Sequence, residues 1–520
     1  MSEPAGGAPV RRARPARVAL LATVFICAAC GLVYELALVA LGSYLIGDTV
    51  GQASIVLSLM VFAMGIGALL AKPLQRRAAI SFAFIELILA LLGGLSVLLL
   101  YAAFAWLSLY TPALIAMALI LGVLIGAEIP LLMELLQRIR AQAAGSAVAD
   151  LFAADYVGAL LGGLAFPFVL LPVFGQIEGA LVVGIVNALA GLGLVLTVFR
   201  GEIGGVRGKA ALIGGAVAVF GVLGGAYALA EDFEVTARQA LYADPVVHAE
   251  RTPYQDIVIT ESVSLSGNRD VRLFLNGDLQ FSSVDEYRYH EALVHPAMAG
   301  PHSRVLVLGG GDGLALREIL RYPDVSSVTL VELDPAMIEL ARTDARLVAA
   351  NGNAFDDPRV TVRAEDAFTW LRSVTADFDV IVVDMPDPDS TATAKLYSIE
   401  FYGMVVQALA DDGRIVVQSG SPFFAPHAYW CIEESLRATG LSTTAYQVTV
   451  PSFGEWGFHL AARTAPALRL PDLPLRSLDE RTLAAAAVFP PDRRAPADVR
   501  ASTLMDPVIL RYSRQEWTNY

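Results

Sequence analysis

Charge is scarce in this chain: of 520 residues, 17% are Asp, Glu, Lys or Arg, against 55% hydrophobic. So apolar a sequence of this length excludes one ordinary soluble domain. The charge that is present is acidic, a formal −14 at pH 7. Without a basic excess a nucleic-acid partner is excluded, because phosphate recognition needs clustered Lys and Arg. Cysteine is nearly absent, at three residues. Cys27 and Cys30 lie inside an apolar helical run, so their C-x-x-C spacing reads as helix packing rather than a redox or zinc site. With Cys431 far away, a disulfide framework is excluded. The six histidines form no cluster with Cys or acidic neighbours, so no metal is expected; His295 and His302 read as structural.

The apolar excess is concentrated before about residue 230. A bilayer-spanning helix needs roughly 20 mostly apolar residues, and seven windows qualify: 18–46, 53–71, 80–106, 111–136, 151–174, 178–199 and 210–230. Arg11, Arg12, Arg14 and Arg17 precede the first, which is too long for a signal peptide and has no convincing small-residue cleavage site. Lys72, Arg76 and Arg77 follow the second window, Arg138 and Arg140 the fourth, and Arg200, Arg207 and Lys209 the sixth. The positive-inside rule then makes residues 1–17 a cytoplasmic basic N-terminus and residues 18–230 a multi-pass bundle in the cell membrane. Seven passes deliver the rest of the chain outside, which conflicts with a cytosolic metabolite as substrate. Either one segment does not cross fully, or the second half faces outward. Glu35, Glu86, Glu128, Glu134, Asp155 and Glu178 lie in or at the ends of the windows, where a carboxyl costs about 2.5–3.5 kcal/mol on insertion scales. They are either protonated, bonded to neighbouring helices or interfacial, or they serve a function. Glu35, Glu128 and Asp155, on three helices, form a candidate lining for a cationic ligand. The run 158–163 (GALLGG) points to close helix packing.

From Tyr242 the pattern becomes that of an α/β protein. Residues 256–261 and 271–275 read as strands, and Asn276-Gly277-Asp278 as a turn into a strand at 279–282, a small β-hairpin subdomain over 242–300. Strands at 304–308, 327–331, 360–364, 379–383 and 414–418 alternate with helices at 314–321, 335–345 and 400–409. That order predicts a doubly wound, mostly parallel sheet over 301–465 with ligands at the carboxyl ends of its strands. The first strand runs into Gly309-Gly310-Gly311-Asp312-Gly313, where Gly309 and Gly311 let backbone approach a nucleotide-like ligand. The next ends at Glu332, suited to a ribose diol, and the third at Glu365-Asp366, suited to an adenine amino group. The fourth ends in Asp384-Met385-Pro386-Asp387-Pro388. Acidic strand ends in this order resemble an S-adenosyl site. Asp312 repels the carboxylate of an intact methionine tail and attracts the ammonium of a decarboxylated one. At about 4 Å and an effective dielectric near 20 that attraction reaches about 4 kcal/mol before desolvation.

Tyr254-Gln255, 275–280 (LNGDLQ), 285–291 (DEYRYHE), the GGGDG loop and the D-x-x-D-P turn stand in the order found in spermidine synthases, and the chain resembles that family over roughly 245–465. The apolar half resembles the multi-pass extension of some bacterial members. The resemblance implies a Rossmann-like, methyltransferase-type fold and aminopropyl transfer from decarboxylated S-adenosylmethionine to putrescine, giving spermidine and methylthioadenosine with no cofactor. It implies that Gln255, Asp312, Glu332 and Asp366 hold the donor, with Gln280 and His290 near donor and amine. Asp387 is then the base that takes the proton of the attacking amine, Tyr289 orients the nitrogen, and Asp384 adds a negative field. One segment departs from the family's P-T-Y-P pattern. Here 451–458 reads PSFGEWGF, so Phe453 lacks the usual hydroxyl. Phe453 and Trp456 are either an apolar wall for the diamine or plain core, and Glu455 is a candidate anchor for the distal ammonium.

The stretch 466–520 reads as a tail with a helix near 478–488. Two other classes compete with the transferase: a polyamine transporter or exporter with a spermidine-synthase-like sensing or supplying domain, and a methyltransferase or silent relative. The expected partners are putrescine or a related polyamine and the lipid bilayer, with a homodimer as a further candidate.

Overall fold

A computed structural model of the chain describes residues 10–46, 49–139, 144–203, 205–263, 267, 269–374 and 377–517. Arg140, residues 47 and 48, and the side chains of Arg11 and Arg12 lie outside the described residues. The chain divides into two compact units, Met1–Ala243 and Asp244–Tyr520.

The first unit consists of α1 (Val10–Ile46), α2 (Thr49–Leu70), α3 (Ala78–Leu107), α4 (Tyr110–Ile139), α5 (Ala144–Ala165), α6 (Leu171–Thr197) and α7 (Gly205–Ala228), then the short α8 (Ala230–Gln239). Among the described residues six helical stretches are long and apolar enough to cross a membrane, one fewer than the sequence windows. The difference lies at Val148–Thr197, 50 residues of continuous helix with a π-helical turn at Phe166–Leu170. Fifty helical residues reach about 75 Å at 1.5 Å each, more than twice a hydrocarbon core of about 30 Å. The run folds back at Gly175, whose φ of 70° and ψ of −168° break the helix in a region open to glycine.

Glycine contacts fix the direction of each helix. Cβ atoms placed on Gly158 and Gly162 would meet Phe25 and Ala29, so α5 runs parallel to α1; those on Gly184 and Gly191 would meet Ala90 and Glu86, so α6 runs against α3. By the same contacts α2 parallels α4 (Gly122 and Gly126 on Met60 and Met64) and α7 parallels α3 (Gly208 and Gly215 on Ile80 and Leu87). Tyr34 against Gly93 and Cys27 beside Glu86 make α1 parallel to α3. Up-and-down alternation therefore gathers Arg14, Arg17, Lys72, Arg76, Arg77, Arg138, Arg200, Arg207 and Lys209 at one end. Arg17 pairs there with Asp150, and Arg138 with Glu134 and Glu202. A Cβ on Gly126 would stand 2.1 Å from the Met64 carbonyl oxygen. Gly126→Leu is therefore expected to push α2 and α4 apart at an overpacking cost of at least about 1–3 kcal/mol. Thermal melts of detergent-solubilised protein check this against Gly214→Leu, where nothing lies within 4 Å.

The second unit opens with an antiparallel sheet of β1 (Val246–Arg251), β2 (Asp256–Val263), β3 (Arg269–Leu275) and β4 (Asp278–Ser282) in sequence order. Asn276 and Gly277 make the β3–β4 turn with φ of 54° and 94°, the double positive φ that selects Asn-Gly. After α9 (Glu286–Val294) comes the main fold: β5 (Arg304–Gly309), α10 (Leu314–Ile319), β6 (Ser327–Glu332), α11 (Pro335–Thr343), α12 (Ala345–Asn351), β7 (Val360–Ala364), α13 (Ala367–Leu371), β8 (Phe378–Asp384), α14 (Thr391–Ala394), α15 (Ile399–Gln407), β9 (Leu409–Gln418), α16 (Pro426–Arg437), β10 (Ser442–Val450) and β11 (Gly454–Ala462). The sheet order is β10-β11-β9-β8-β5-β6-β7. Strands β5 to β9 are parallel neighbours, and β11 joins β9 antiparallel. Val305–Leu308 and Val380–Val383 are wholly buried, as central parallel strands covered on both faces are. In the tail, α17 (Glu480–Ala486) falls within the expected helix, and α18 (Val508–Trp517) lies on α16. There Glu516 accepts the N–H groups of His427 and Ala428, capping the start of α16.

Candidate active site

The carboxyl ends of β5, β6 and β8 converge, and the glycines explain how closely. Gly309 pairs in register with Asp384. A Cβ there would lie 2.1 Å from the Asp384 carbonyl oxygen, and Gly309, Gly310 and Gly313 take φ of 82°, 66° and 82°. A Cβ on Gly311 would meet the Glu332 carboxylate at 2.8 Å. The loop therefore lies directly on two strand-end carboxyls, and only glycine permits it.

Asp312 accepts the Leu314 N–H at 2.9 Å through Oδ1, while its backbone carbonyl accepts from Asn351 Nδ2 at 3.0 Å. Burial raises its pKa, against the opposing pull of His290. Glu332 accepts the Asp334 N–H at 2.9 Å. Burial, with Asp334 and Asp312 adding to it, pushes its carboxyl up to about 7. Gln255 reaches this turn from the small sheet and donates to Asp334 at 3.0 Å. Asp366 caps α13 through the Thr369 N–H at 2.7 Å and pairs with Lys395 at 3.1 Å.

Tyr289 on α9 donates to Asp384 Oδ1 at 2.5 Å. Burial and then the charge of Asp312 push Asp384 up to about 6. Asp387, three residues past the end of β8, accepts from Gln418 Nε2 at 3.0 Å. Burial raises it to about 6 against that hydrogen bond, with Asp278 and Asp389 reinforcing the rise. His290 is buried, its Nδ1 on the backbone carbonyl of Glu286 at 2.8 Å and on that residue's carboxylate at 3.0 Å. Burial alone lowers its pKa, but Glu286 outweighs burial and leaves it raised. Glu286 is in turn held by both terminal nitrogens of Arg317 at 2.9 Å. Gln280 sits on β4, donating to the Asp278 carbonyl at 3.2 Å.

Phe453 packs edge-on against Tyr289 with ring centroids 6.1 Å apart, and against Trp456 at 5.3 Å. Trp456 Nε1 donates to Gln418 Oε1 at 3.2 Å. Both aromatics thus border the cleft. Glu455 does not accompany them. Side chains alternate along β11, and Trp456 and Phe458 face the side of the sheet that carries Tyr289, so Glu455 faces the other side.

Sequence reasoning passed over Gln418, which also donates to the Met385 carbonyl at 2.6 Å and to the Tyr397 hydroxyl at 2.9 Å. The signal available was a lone glutamine ending the apolar strand RIVVQ. It also passed over Tyr397, Asp278, and the Glu286–Arg317 pair behind His290. In the first unit, the membrane candidates part company. Glu128 is buried, but Glu35 and Asp155 are only half-buried. The tight cluster among the described residues is instead Cys27, Glu86 and Glu128.

Residues 286–467 match the spermine/spermidine synthase domain. The chain is 61% identical to polyamine aminopropyltransferase 1 of Streptomyces coelicolor, over 98% of this chain and 96% of that one. It is 51% identical to polyamine aminopropyltransferase 2 of the same organism, over 90% and 91%. To the polyamine aminopropyltransferase of Mycobacterium tuberculosis H37Rv it is 47% identical, over 96% and 97%. Similarity of this degree runs through the helical unit as well as the α/β unit, and the chain accordingly belongs to the polyamine aminopropyltransferase (spermidine synthase) family of enzymes.

Proposed function

We propose that the aminopropyl group is taken from decarboxylated S-adenosylmethionine and given to putrescine, with Asp387 as the base. The observation that carries this reading is the row of carboxyls around one cleft, Asp312, Asp384, Asp387 and Asp278, with the positive charges of His290 and Arg317 acting on its Asp312 end. A sulfonium donor ending in an ammonium and a diamine are both polycations, and each lowers the cost of holding that row ionised. Asp312 faces the donor's ammonium, Glu332 its ribose diol, and Asp366 the adenine edge, while Gln255 steadies the turn after β6. His290 and Gln280 flank the junction of donor and amine.

The reaction needs an uncharged nitrogen, because an alkylammonium, like Lys, has a pKa near 10.4. Asp387 takes the proton as the nitrogen attacks the carbon bound to sulfur. The C–N bond forms, the C–S bond breaks, and the sulfur leaves with the electron pair as neutral methylthioadenosine. The leaving group needs no acid. Tyr289 keeps its proton and donates its O–H hydrogen bond to Asp384, which leaves an oxygen lone pair for the amine while Asp384 holds the negative field. Holding carbon and nitrogen in line supplies the proximity contribution.

Asp387 must be ionised to act, and burial holds it near 6. The acid limb of kcat/KM for the free enzyme is therefore expected to bend near pH 6 rather than near 4, as an ordinary Asp would give. Stability runs the other way. Asp384, Asp387 and Glu332 are raised in the fold, so the stability they contribute is present below pH 4 and lost as pH rises through about 6 to 7. A pH series of initial rates and of melting temperatures reads both. An acid limb that stays flat down to pH 4, with putrescine as acceptor, contradicts Asp387 as base.

We further propose that the first unit spans the cell membrane with its basic end in the cytoplasm. Seven full passes bring the chain after Ala228 to the opposite face, whereas a segment that does not cross fully keeps it on the face of a cytosolic substrate. Protease added to right-side-out vesicles cuts the second unit in the first case, and cuts it only in inverted vesicles in the second.

A further inference from the structure

Inside the first unit, four helices bring side chains of two chemistries to one point. Cys27 on α1, Glu86 on α3 and Glu128 on α4 hold a sulfur and two carboxylate oxygens within 4.8 Å of one another, all buried. Asn187 on α6, with no exposure at all, joins them by donating to Glu86 Oε2 at 2.7 Å. Glu86 Oε1, Glu128 Oε1 and Asn187 Oδ1 are then left buried with no hydrogen-bond partner. Buried acceptors without donors cost about 1–3 kcal/mol each, and more when charged. The ion pairs made by α1 and α4 lie at the basic end of the unit and do not reach this point.

We propose that Cys27, Glu86 and Glu128, with Asn187 Oδ1 as fourth donor, bind a divalent cation of the zinc class. A mixed sulfur and oxygen set of four suits a tetrahedral, borderline-soft ion and not Mg²⁺ or Ca²⁺, which take six or more oxygens. Metal–oxygen and metal–sulfur bonds of about 2.0–2.3 Å put tetrahedral donors about 3.5 Å apart, so the three clustered atoms, within 4.8 Å of one another, need only a small closure, and Asn187 must turn its Oδ1 toward them. A dication offsets two of the three negative charges that a thiolate and two carboxylates carry, which lowers the cost of ionising them in an apolar surrounding. Binding displaces the thiol and carboxyl protons to solvent. An organic ammonium fits less well, because backbone crowds the site. A Cβ on Gly191 would come within 2.6 Å of the Glu86 side chain, and one on Gly93 within 2.7 Å of the Tyr34 ring, two turns along α1 from Cys27. Packing this close to Glu86 and Tyr34 favours a bare ion over an alkyl chain. The C-x-x-C spacing is not the source of the site: Cys27 meets carboxyls from two other helices, and Cys30 is not among the three. Such an ion fastens α1, α3, α4 and α6 together.

The site stands in the other unit from the transferase cleft, so its failure leaves the proposed reaction untouched. Untagged full-length protein, stripped with chelator in detergent, would be loaded with Co²⁺ as the probe and then with Zn²⁺. One Co²⁺ per chain is expected, with a sulfur-to-cobalt charge-transfer band that Cys27→Ser removes and Cys30→Ser keeps. Zn²⁺ is expected to raise the melting temperature of wild type and not of Glu128→Gln. Should Cys27→Ser fail to fold, X-ray absorption on the wild-type cobalt protein decides, with one sulfur and otherwise oxygen or nitrogen neighbours expected. Uptake far below one equivalent, which means that the cluster holds only protons, or a sulfur-free shell overturns the proposal.

Discussion

Asp387→Asn is expected to lower kcat by about 10²–10⁴, the usual worth of a positioned general base, while the melting temperature holds or rises. The substitution keeps the shape of the side chain, and Gln418 Nε2 still finds an oxygen to donate to. What disappears is a carboxylate that burial, Asp278 and Asp389 all press toward its neutral form. Removing a charge that the fold holds at a cost stabilises the fold, and removing the proton acceptor stops the chemistry. The two readouts moving in opposite senses distinguish a catalytic group from a structural one. A loss of activity that tracks a loss of stability contradicts the assignment.

Asp312→Asn is expected to collapse the preference for the decarboxylated donor over the intact one by up to about 10³ in kcat/KM. That is the equivalent of about 4 kcal/mol at 1.36 kcal/mol per decade. Asparagine retains the acceptor for the Leu314 N–H, so the loop turn survives. It loses both the attraction for the donor's terminal ammonium and the repulsion of a methionine carboxylate. Competition between the two donors, measured in one reaction mixture, reads the ratio directly. An unchanged ratio would mean that selectivity resides elsewhere, and His290 and Asp384, each coupled electrostatically to Asp312, would be the next to examine.

The parallel sheet was legible because its strands are short and mostly apolar, and β5, β6 and β8 end in glycine or a carboxylate. Val305–Leu308 into the GGGDG loop, and Ser327–Glu332 into Asp334, announce themselves locally. The antiparallel partner β10 and its neighbour β11 did not, since 442–450 mixes Thr, Tyr and Gln with Val and has no clean alternation. Gln418 was missed for a related reason. Its importance comes from Asp387, Tyr397 and Trp456 meeting it from loops and strands 21 to 38 residues away in sequence, and no local period reports such a meeting. In the helical unit, windows of hydropathy located the helices. Sequence alone grouped Glu35 and Asp155 with Glu128, whereas the close partners are Cys27 and Glu86. Which carboxyls meet depends on the rotation of each helix about its axis, and the glycine contacts set that rotation only once the helices are packed. The fold-back at Gly175 was read as a loop between two windows, and the helix in fact continues to it through a π-turn.

The central claim is tested most directly by the products. Detergent-purified full-length protein, given decarboxylated S-adenosylmethionine and putrescine, is expected to yield spermidine and methylthioadenosine in equal amounts by mass spectrometry, with neither above background for Asp387→Asn. Methylthioadenosine without spermidine, or equal product from wild type and Asp387→Asn, would contradict it.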